Sequence, residues 1–320
     1  MLRCREKCFL NHIADCLMKP ILVTGSHRSG STWVGTMLAR STEVTYVHEP
    51  FNIRPRPRIC HARFCHWFTY VCEENEANFI TPIRACLSLK YNLVKGLKAT
   101  RNLRDLAHVV DDYWRLSVGR VFRRRPLMKD PIAVFSAEWL ARVFDMDVIV
   151  LIRHPAAFAG SLKVAKSSHP FEHFLAQPLL MDHYLDSFRE EVQACVDYRK
   201  DIIDQSILLW RMIHHMILIY MERHRDWIFV RHEDLSSDPV HAFSVLFDRL
   251  GLIYSSKVQK AIEHYSSGGG ASLWNRRRSL KRDSKSNIWR WKERLTKEEV
   301  ERVYRGTLDI AANFYTDEDW

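Results

Sequence analysis

An α/β fold is what this sequence predicts: a three-layer sandwich with a central, mainly parallel sheet and a P-loop-like phosphate-binding loop after the first strand. The first observation is a set of short apolar runs that end in polar residues: Ile21–Val23, Leu127–Met128 before Lys129, Val148–Ile152 before Arg153, and Ile228–Val230 before Arg231. The second is that helix-period stretches separate them, notably 136–144, 155–166, 185–198 and 202–223. Near-continuous apolar strands alternating with helices call for a parallel sheet covered on both faces. The third is the stretch Gly25-Ser-His-Arg-Ser-Gly-Ser-Thr32, set between the first apolar run and a helix-like run, Trp33–Arg40. Strand, glycine loop and helix in that order form a phosphate cradle. Ligands of such sheets sit beyond the carboxyl ends of the strands, where Lys129, Arg153 and Arg231 fall.

The remaining segments fit one domain. Residues 1–19 read as an N-terminal extension and 20–315 as the folded unit. The extension carries basic residues, but Asn11, His12 and Asp15 interrupt its apolar core, which makes a poor signal peptide. Residues 207–221 are the most apolar run, yet Arg211, His214 and His215 lie inside it, so a buried helix is expected and no membrane span. Residues 51–90 are rich in Arg, Cys and aromatics and are expected to form a lid or an acceptor-side insertion. The break Ser266–Ser272 reads as a loop leading into a basic stretch, and Thr296-Lys-Glu-Glu299 is a capping box that opens a final helix.

A chain of 320 residues with 47% hydrophobic and 27% charged residues has an ordinary globular composition. Its 48 Lys and Arg against 38 Asp and Glu give a formal charge of +10, which implies an anionic partner. Arginines cluster at Arg120 and 123–125, and again at 276–278 and 282. Eight cysteines do not make a disulfide scaffold, and the group Cys60, His61, Cys65, His66, with Cys72 nearby, matches no common zinc spacing. Free thiols of a reduced, cytoplasmic protein are expected, with no metal site.

The loop departs from a triphosphate loop in one respect. Its glycines are five apart, but Ser31 stands where the lysine should follow Gly30. Backbone N–H groups and the positive end of the following helix hold one phosphate well. The lysine exists to reach further along a polyphosphate. Here the only cation is Arg28, and Ser29, Ser31 and Thr32 add hydroxyl donors. The run 148–152 then ends in Arg153, where a triphosphate hydrolase would place an Asp for Mg²⁺. Eight residues on, Ser161 lies about two helical turns away. A nucleotide with separate 5′ and 3′ phosphates would satisfy both places without metal.

On these residues the sequence resembles the sulfotransferases that use 3′-phosphoadenosine 5′-phosphosulfate (PAPS). The family's 5′-phosphosulfate loop corresponds to Arg28-Ser-Gly-Ser-Thr-Trp33, and its 3′-phosphate Arg and Ser fall on Arg153 and Ser161. The resemblance implies PAPS as cosubstrate and Trp33 as an adenine platform, although a core aromatic is the other reading of that residue. It also places Arg282 and Lys285 as 3′-phosphate ligands, in a late loop closer to the carbohydrate and bacterial type than to the steroid and phenol type. Members of that type use a Glu as base in the region of His48-Glu49-Pro50, and Glu49 occupies the matching place. His48 is the rival base, since small-molecule enzymes use a His. Lys129 is expected to meet the sulfonate, to support Glu49, or to do no more than pair with a neighbour.

The acceptor is left open among a glycan, a lipid alcohol and a small molecule. Residues 51–90 and 167–185, with Trp67, Phe68, Tyr70, Phe171, His173 and Phe174, are expected to shape its pocket. Two other classes stand against this reading. A metal-dependent nucleotide kinase or NTPase needs the missing lysine and carboxylate. A non-enzymatic basic protein would bind nucleic acid or acidic glycan with steep salt dependence.

Overall fold

The computed structural model describes residues 19–53, 59–198, 200–267 and 284–320. Five strands, β1 (Ile21–Gly25), β2 (Val44–His48), β3 (Arg125–Lys129), β4 (Asp147–Ile152) and β5 (Ile228–Arg231), form one sheet in the order β2-β3-β1-β4-β5. Every pairing is parallel. The chain starts at the centre, steps outward to β2, returns through β3, then crosses β1 to reach β4 and β5. The reversal falls beside β1, which is where open sheets of this kind bind ligands.

Alternation along the central strands divides the core into two layers. Leu22, Met128, Val148 and Val150 face one cluster, whereas Ile21, Val23, Leu127, Ile149 and Leu151 face the other. Seven helices matter for the site and surface: α1 (Ser31–Leu38), α2 (Leu103–Val121), α3 (Pro155–Ala165), α4 (Ile202–Arg223), α5 (His232–Ser237), α6 (Pro239–Arg249) and α7 (Lys297–Ala311). Trp210, Met216 and Tyr220 of α4 close the first layer, and Val34, Met37, Phe243 and Phe247 of α1 and α6 close the second. The three-layer expectation holds.

All four expected strands form, as do helices over 137–144, 155–165, 189–197 and 202–223. The predicted box is present at α7: the Thr296 hydroxyl accepts from Glu299 N, and the Glu299 carboxylate accepts from Thr296 N. Helix α4 is apolar and long enough to cross a membrane by length and composition, but it is mostly buried within this fold, against α3 and α7. The folded unit runs to the chain's last residue, since the Trp320 ring packs at 4.4 Å from that of His154.

One expectation changes. Residues 59–90 form no separate lid, because Phe64, Phe68, Tyr70 and Val71 are buried in the first core layer. Their apolar rings gain more by filling that layer than by waiting at its mouth. Within the first arginine cluster, Arg120 and Arg123 are exposed and Arg125 is half-buried. Arg125 donates to the carbonyls of Lys19 and Leu250 and to Asp147, tying β3 to its surroundings.

Candidate active site

The site follows the carboxyl edge of the sheet in strand order. Glu49 leaves β2, Lys129 ends β3, the glycine loop leaves β1, Arg153 follows β4, and His232 and Glu233 follow β5. Each side chain owes its place to the point where an apolar strand stops.

The loop is held in a left-handed conformation at both Arg28 (φ 65°) and Gly30 (φ 88°). Gly30 sits so close to His232 that a Cβ would lie 2.6 Å from its Nδ1, so a glycine is required there. Gly30 is also the N-cap of α1, with no side chain capping the helix and no acidic residue in its first turn. The first N–H groups of α1 are therefore unclaimed by side chains, and the positive end of the helix faces no built-in anion. Arg28 is exposed and donates from Nε to Ser161 Oγ at 2.9 Å. Arg153 is buried, and its Nη1 donates to the carbonyl of Arg28. The loop cation and the predicted Arg–Ser pair thus converge on one place.

Buried polar atoms here that lack a hydrogen-bond partner among the described residues include the donors Ser29 Oγ, Trp33 Nε1 and Arg153 Nε, and also His27 Nδ1. Burial lowers the Arg153 guanidinium to about 10, partly opposed by the nearby Glu233 carboxylate and reinforced by Arg28. It remains a cation at neutral pH. Orphaned donors beside accessible cationic and hydroxyl groups suit a multiply charged anion, since such donors are costly unless something accepts from them. This donor set fits the two phosphates of PAPS.

Trp33 is half-buried, with its ring edge-on to Phe243 at 5.1 Å and to His232 at 6.0 Å. One side of it therefore serves the core. Ser31 is buried and Thr32 exposed at the start of α1. Lys285 is exposed on the short helix Ser284–Ile288, which Ser284 anchors by donating to Ser236 O at 3.0 Å. Arg282 and the arginines 276–278 lie outside the described residues.

At the other end of the edge, Glu49 has a left-handed backbone (φ 42°), and its N–H donates to Lys129 O at 2.9 Å. Its carboxylate accepts from Lys129 Nζ and, at 2.8 Å, from Asn52 Nδ2. His48 Nε2 lies 3.9 Å from Glu49 Oε2, and its Nδ1 meets the Tyr46 hydroxyl at 3.2 Å. Burial alone would raise the Glu49 carboxyl, but Lys129, His48 and Asn52 outweigh it and hold the group below the usual carboxylate range. Asp130 lies just beneath, accepting from Phe51 N at 2.7 Å and Ile132 N at 3.1 Å. Burial raises its carboxyl to about 7, with Glu49 adding to the effect.

The Lys129 side chain is fully buried and depends on a missing Cβ in α1. A side chain on Gly35 would come within 2.9 Å of Tyr46 Cε2 and 3.0 Å of Lys129 Cγ. Gly35→Ala is therefore expected to cost about 1–3 kcal/mol in urea unfolding, from overpacking, and to disturb the Lys129–Glu49 contact. An unchanged unfolding midpoint would show that the helix yields without strain.

The Lys129–Glu49 pair also fixes a pH response. A carboxyl depressed on folding stabilises the fold above its unfolded pKa, and that contribution is lost as pH falls through the lower folded value. Lys129→Met removes the largest opposing charge and leaves burial in force. The acid limb of the rate profile should then move to higher pH, while the share of acid unfolding that Glu49 drives should shrink, because a carboxyl raised by burial costs no stability as pH falls. A profile identical to wild type would mean that Glu49 does not control that limb.

Glu233 and His27 lie at this edge although sequence patterns did not single them out. Glu233 accepts from His154 N at 3.2 Å and from Tyr315 OH at 2.9 Å, and it supplies the counter-charge to Arg153. The polar end of β5 marked its neighbourhood without singling it out. His27, inside the loop, packs edge-on against Phe158 and Phe68 at 5.0 and 5.6 Å. Burial and Arg28 lower it to about 4, so it is neutral near pH 7.

On the acceptor side, residues 66–70 and 173–177 do come together: Trp67 N donates to His173 Nδ1 and Tyr70 N to Gln177 Oε1. However, Phe68, Tyr70, Phe171 and Phe174 are core rings and not an open wall. A cavity of about 390 Å³ is lined partly by the 59–90 segment, with Ile59, His61 and Pro82 beside Tyr91, and it contains none of the predicted catalytic or cofactor-binding residues. The cysteine cluster is likewise rearranged. Cys60 lies against Cys86, and the one His/Cys/acid group with ligand spacing among the described residues is Cys72, Glu74 and His183.

A family model described as the sulfotransferase family matches residues 20–256. The chain belongs to the sulfotransferase family. Among curated proteins it is similar to carbohydrate sulfotransferase 2 of Mus musculus and of Homo sapiens, at 26% identity over 163 residues in each case. That match covers 46% of this chain and 28% of the length of each relative. Among solved structures it is similar to a sulfotransferase domain from the curacin biosynthetic pathway, at 15% identity and a TM-score of 0.47, covering 90% of this chain and 97% of that one. Mouse sulfotransferase SULT7A1 complexed with PAP is similar at 11% identity and a TM-score of 0.43, covering 96% and 90%.

Proposed function

We propose that the protein moves a sulfuryl group from PAPS to an acceptor hydroxyl by in-line transfer, with Glu49 as general base and no metal. The observation that carries this is the sequence of groups along one sheet edge: carboxylate and lysine at one end, glycine loop in the middle, buried Arg153 at the other. PAPS supplies the sulfuryl group and a phosphate leaving group. The loop N–H groups and Arg28 hold the 5′ side, while Arg153 and Ser161 hold the 3′-phosphate. Charge-assisted contacts of this kind are short and strong, and a fixed set of donors needs no reorganisation as charge develops.

Glu49 takes the acceptor proton at a carboxylate oxygen. Lys129 and Asn52 orient that carboxylate and keep it ionised. His48 lies beside Glu49 as the rival base, and its partner Tyr46 turns one ring nitrogen away from that role. The name of the curated relatives favours a glycan hydroxyl over a lipid alcohol or a small molecule as acceptor. Incubation with radiolabelled PAPS and a panel of glycans, lipid alcohols and phenols tests this reading. Label should pass to a glycan in EDTA as well as in Mg²⁺. Strict dependence on Mg²⁺, or release of label only to water, would count against it.

A further inference from the structure

Helix α2 is apolar on two sides. Val109, Leu116 and Gly119 are buried against the protein, Gly119 directly over Thr45 of the edge strand β2. At about 100° per residue, Leu103, Leu106, Val110, Tyr113, Trp114 and Val121 fall on a second stripe well away from the buried one. That stripe faces solvent: Leu103 is 85% exposed, Val110 57%, Trp114 70% and Val121 76%. It runs the length of the helix, roughly 27 Å at 1.5 Å per residue. The neighbouring helix Leu93–Lys98 extends it with exposed Val94 and Leu97. A contiguous apolar strip of this size marks an interaction surface.

Charge selects the occupant. Lys95, Lys98, Arg101, Arg104, Arg120 and Arg123 are all exposed around the stripe. The acidic Asp111 and Asp112 are engaged by Arg115. A Leu, Val and Trp stripe bordered by Lys and Arg is the make-up of a helix that lies in a lipid interface. A second copy of this chain fits less well, because a two-fold contact through the stripe would bring the same cations face to face. We propose that this face of α2 docks the protein onto an anionic lipid bilayer surface, with the stripe set among the acyl boundary and the cations on headgroups. The surface is separate from the nucleotide edge, and the proposal does not depend on the reaction.

Co-sedimentation of the full chain with unilamellar vesicles tests it. Binding should be strong to vesicles of equal parts phosphatidylcholine and phosphatidylserine and weak to phosphatidylcholine alone, and added salt should reduce it. Exchanging Arg101, Arg104 and Arg120 for Gln should weaken binding about a hundredfold, from the loss of three surface cations. Exchanging Leu103, Val110 and Trp114 for Ser should abolish detectable binding. Both variants change exposed residues only and should unfold at the wild-type temperature; if either does not, the lipid and salt dependence of the wild-type chain decides alone. Absence of binding to the anionic vesicles, or equal binding to both compositions, would overturn the proposal. So would a dimer in sedimentation equilibrium that the Ser variant dissociates, which would assign the stripe to a second copy.

Discussion

Exchanging Glu49 for Gln should lower sulfuryl transfer about 10²- to 10⁴-fold while leaving affinity for 3′-phosphoadenosine 5′-phosphate (PAP) near wild type. Gln keeps the size of the side chain and can still meet Asn52 and Lys129, but it cannot take a proton. The loss should therefore fall on the rate constant for transfer and not on nucleotide binding. His48→Ala is the control, because its ring nitrogen lies 3.9 Å from the same carboxylate. It should retain most of the rate, with a modest change from the lost field on Glu49. If His48→Ala abolishes turnover and Glu49→Gln spares it, the roles are inverted and a histidine is the base.

The second large effect is expected at the opposite end of the edge. Arg153→Ala should weaken PAP by roughly tenfold to a hundredfold, the worth of one charge-assisted contact. Adenosine 5′-phosphate, which has no 3′-phosphate, should lose little. The buried position of Arg153 adds a structural component, because its Nη1 also holds the Arg28 carbonyl and Glu233 would lose its counter-charge. Arg153→Lys separates the two: it restores a cation for Glu233 but not the fork that serves both phosphate and loop. Equal losses for both nucleotides in Arg153→Ala would show that the residue positions the loop and does not read the 3′-phosphate.

Much of this arrangement was legible in the sequence, and physical reasons separate what was from what was not. Strands β1, β3 and β4 announced themselves because central parallel strands are buried on both faces and read as apolar runs; β5, at the far edge and covered only in part, was legible because Ile228, Phe229 and Val230 run unbroken. Edge strand β2, Val-Thr-Tyr-Val-His, was not, since only part of it is covered and its polar residues break the run. Glu49 and His48 were singled out through the family resemblance and not through a recognised strand. Helix α2 escaped notice because apolar residues on two faces blur the 3.6-residue period that marks an ordinary surface helix.

The site shows the same division. Arg28, Arg153 and Ser161 were identifiable from spacing, but the direct contact between Arg28 and Ser161 depends on the loop's left-handed turn. Glu233 reaches Arg153 from the end of another strand, which no local pattern betrays, and the Asn52 contact with Glu49 depends on the left-handed backbone at Glu49. Aromatics at 67–70 and 171–174 were expected to shape the acceptor pocket, and of these Phe68, Tyr70, Phe171 and Phe174 are buried in the core. Composition cannot tell a ring that lines a cleft from one that fills the core, and most large apolar rings fill the core.

Calorimetric titration of PAP into the wild-type chain tests most directly the claim that this edge is built for a nucleotide with phosphates on both sides of its ribose. In EDTA, PAP should bind at least tenfold more tightly than adenosine 5′-phosphate, consistent with one further charge-assisted contact, and adding Mg²⁺ should change neither affinity. Equal affinity for the two nucleotides, or PAP binding that appears only with Mg²⁺, would contradict the account.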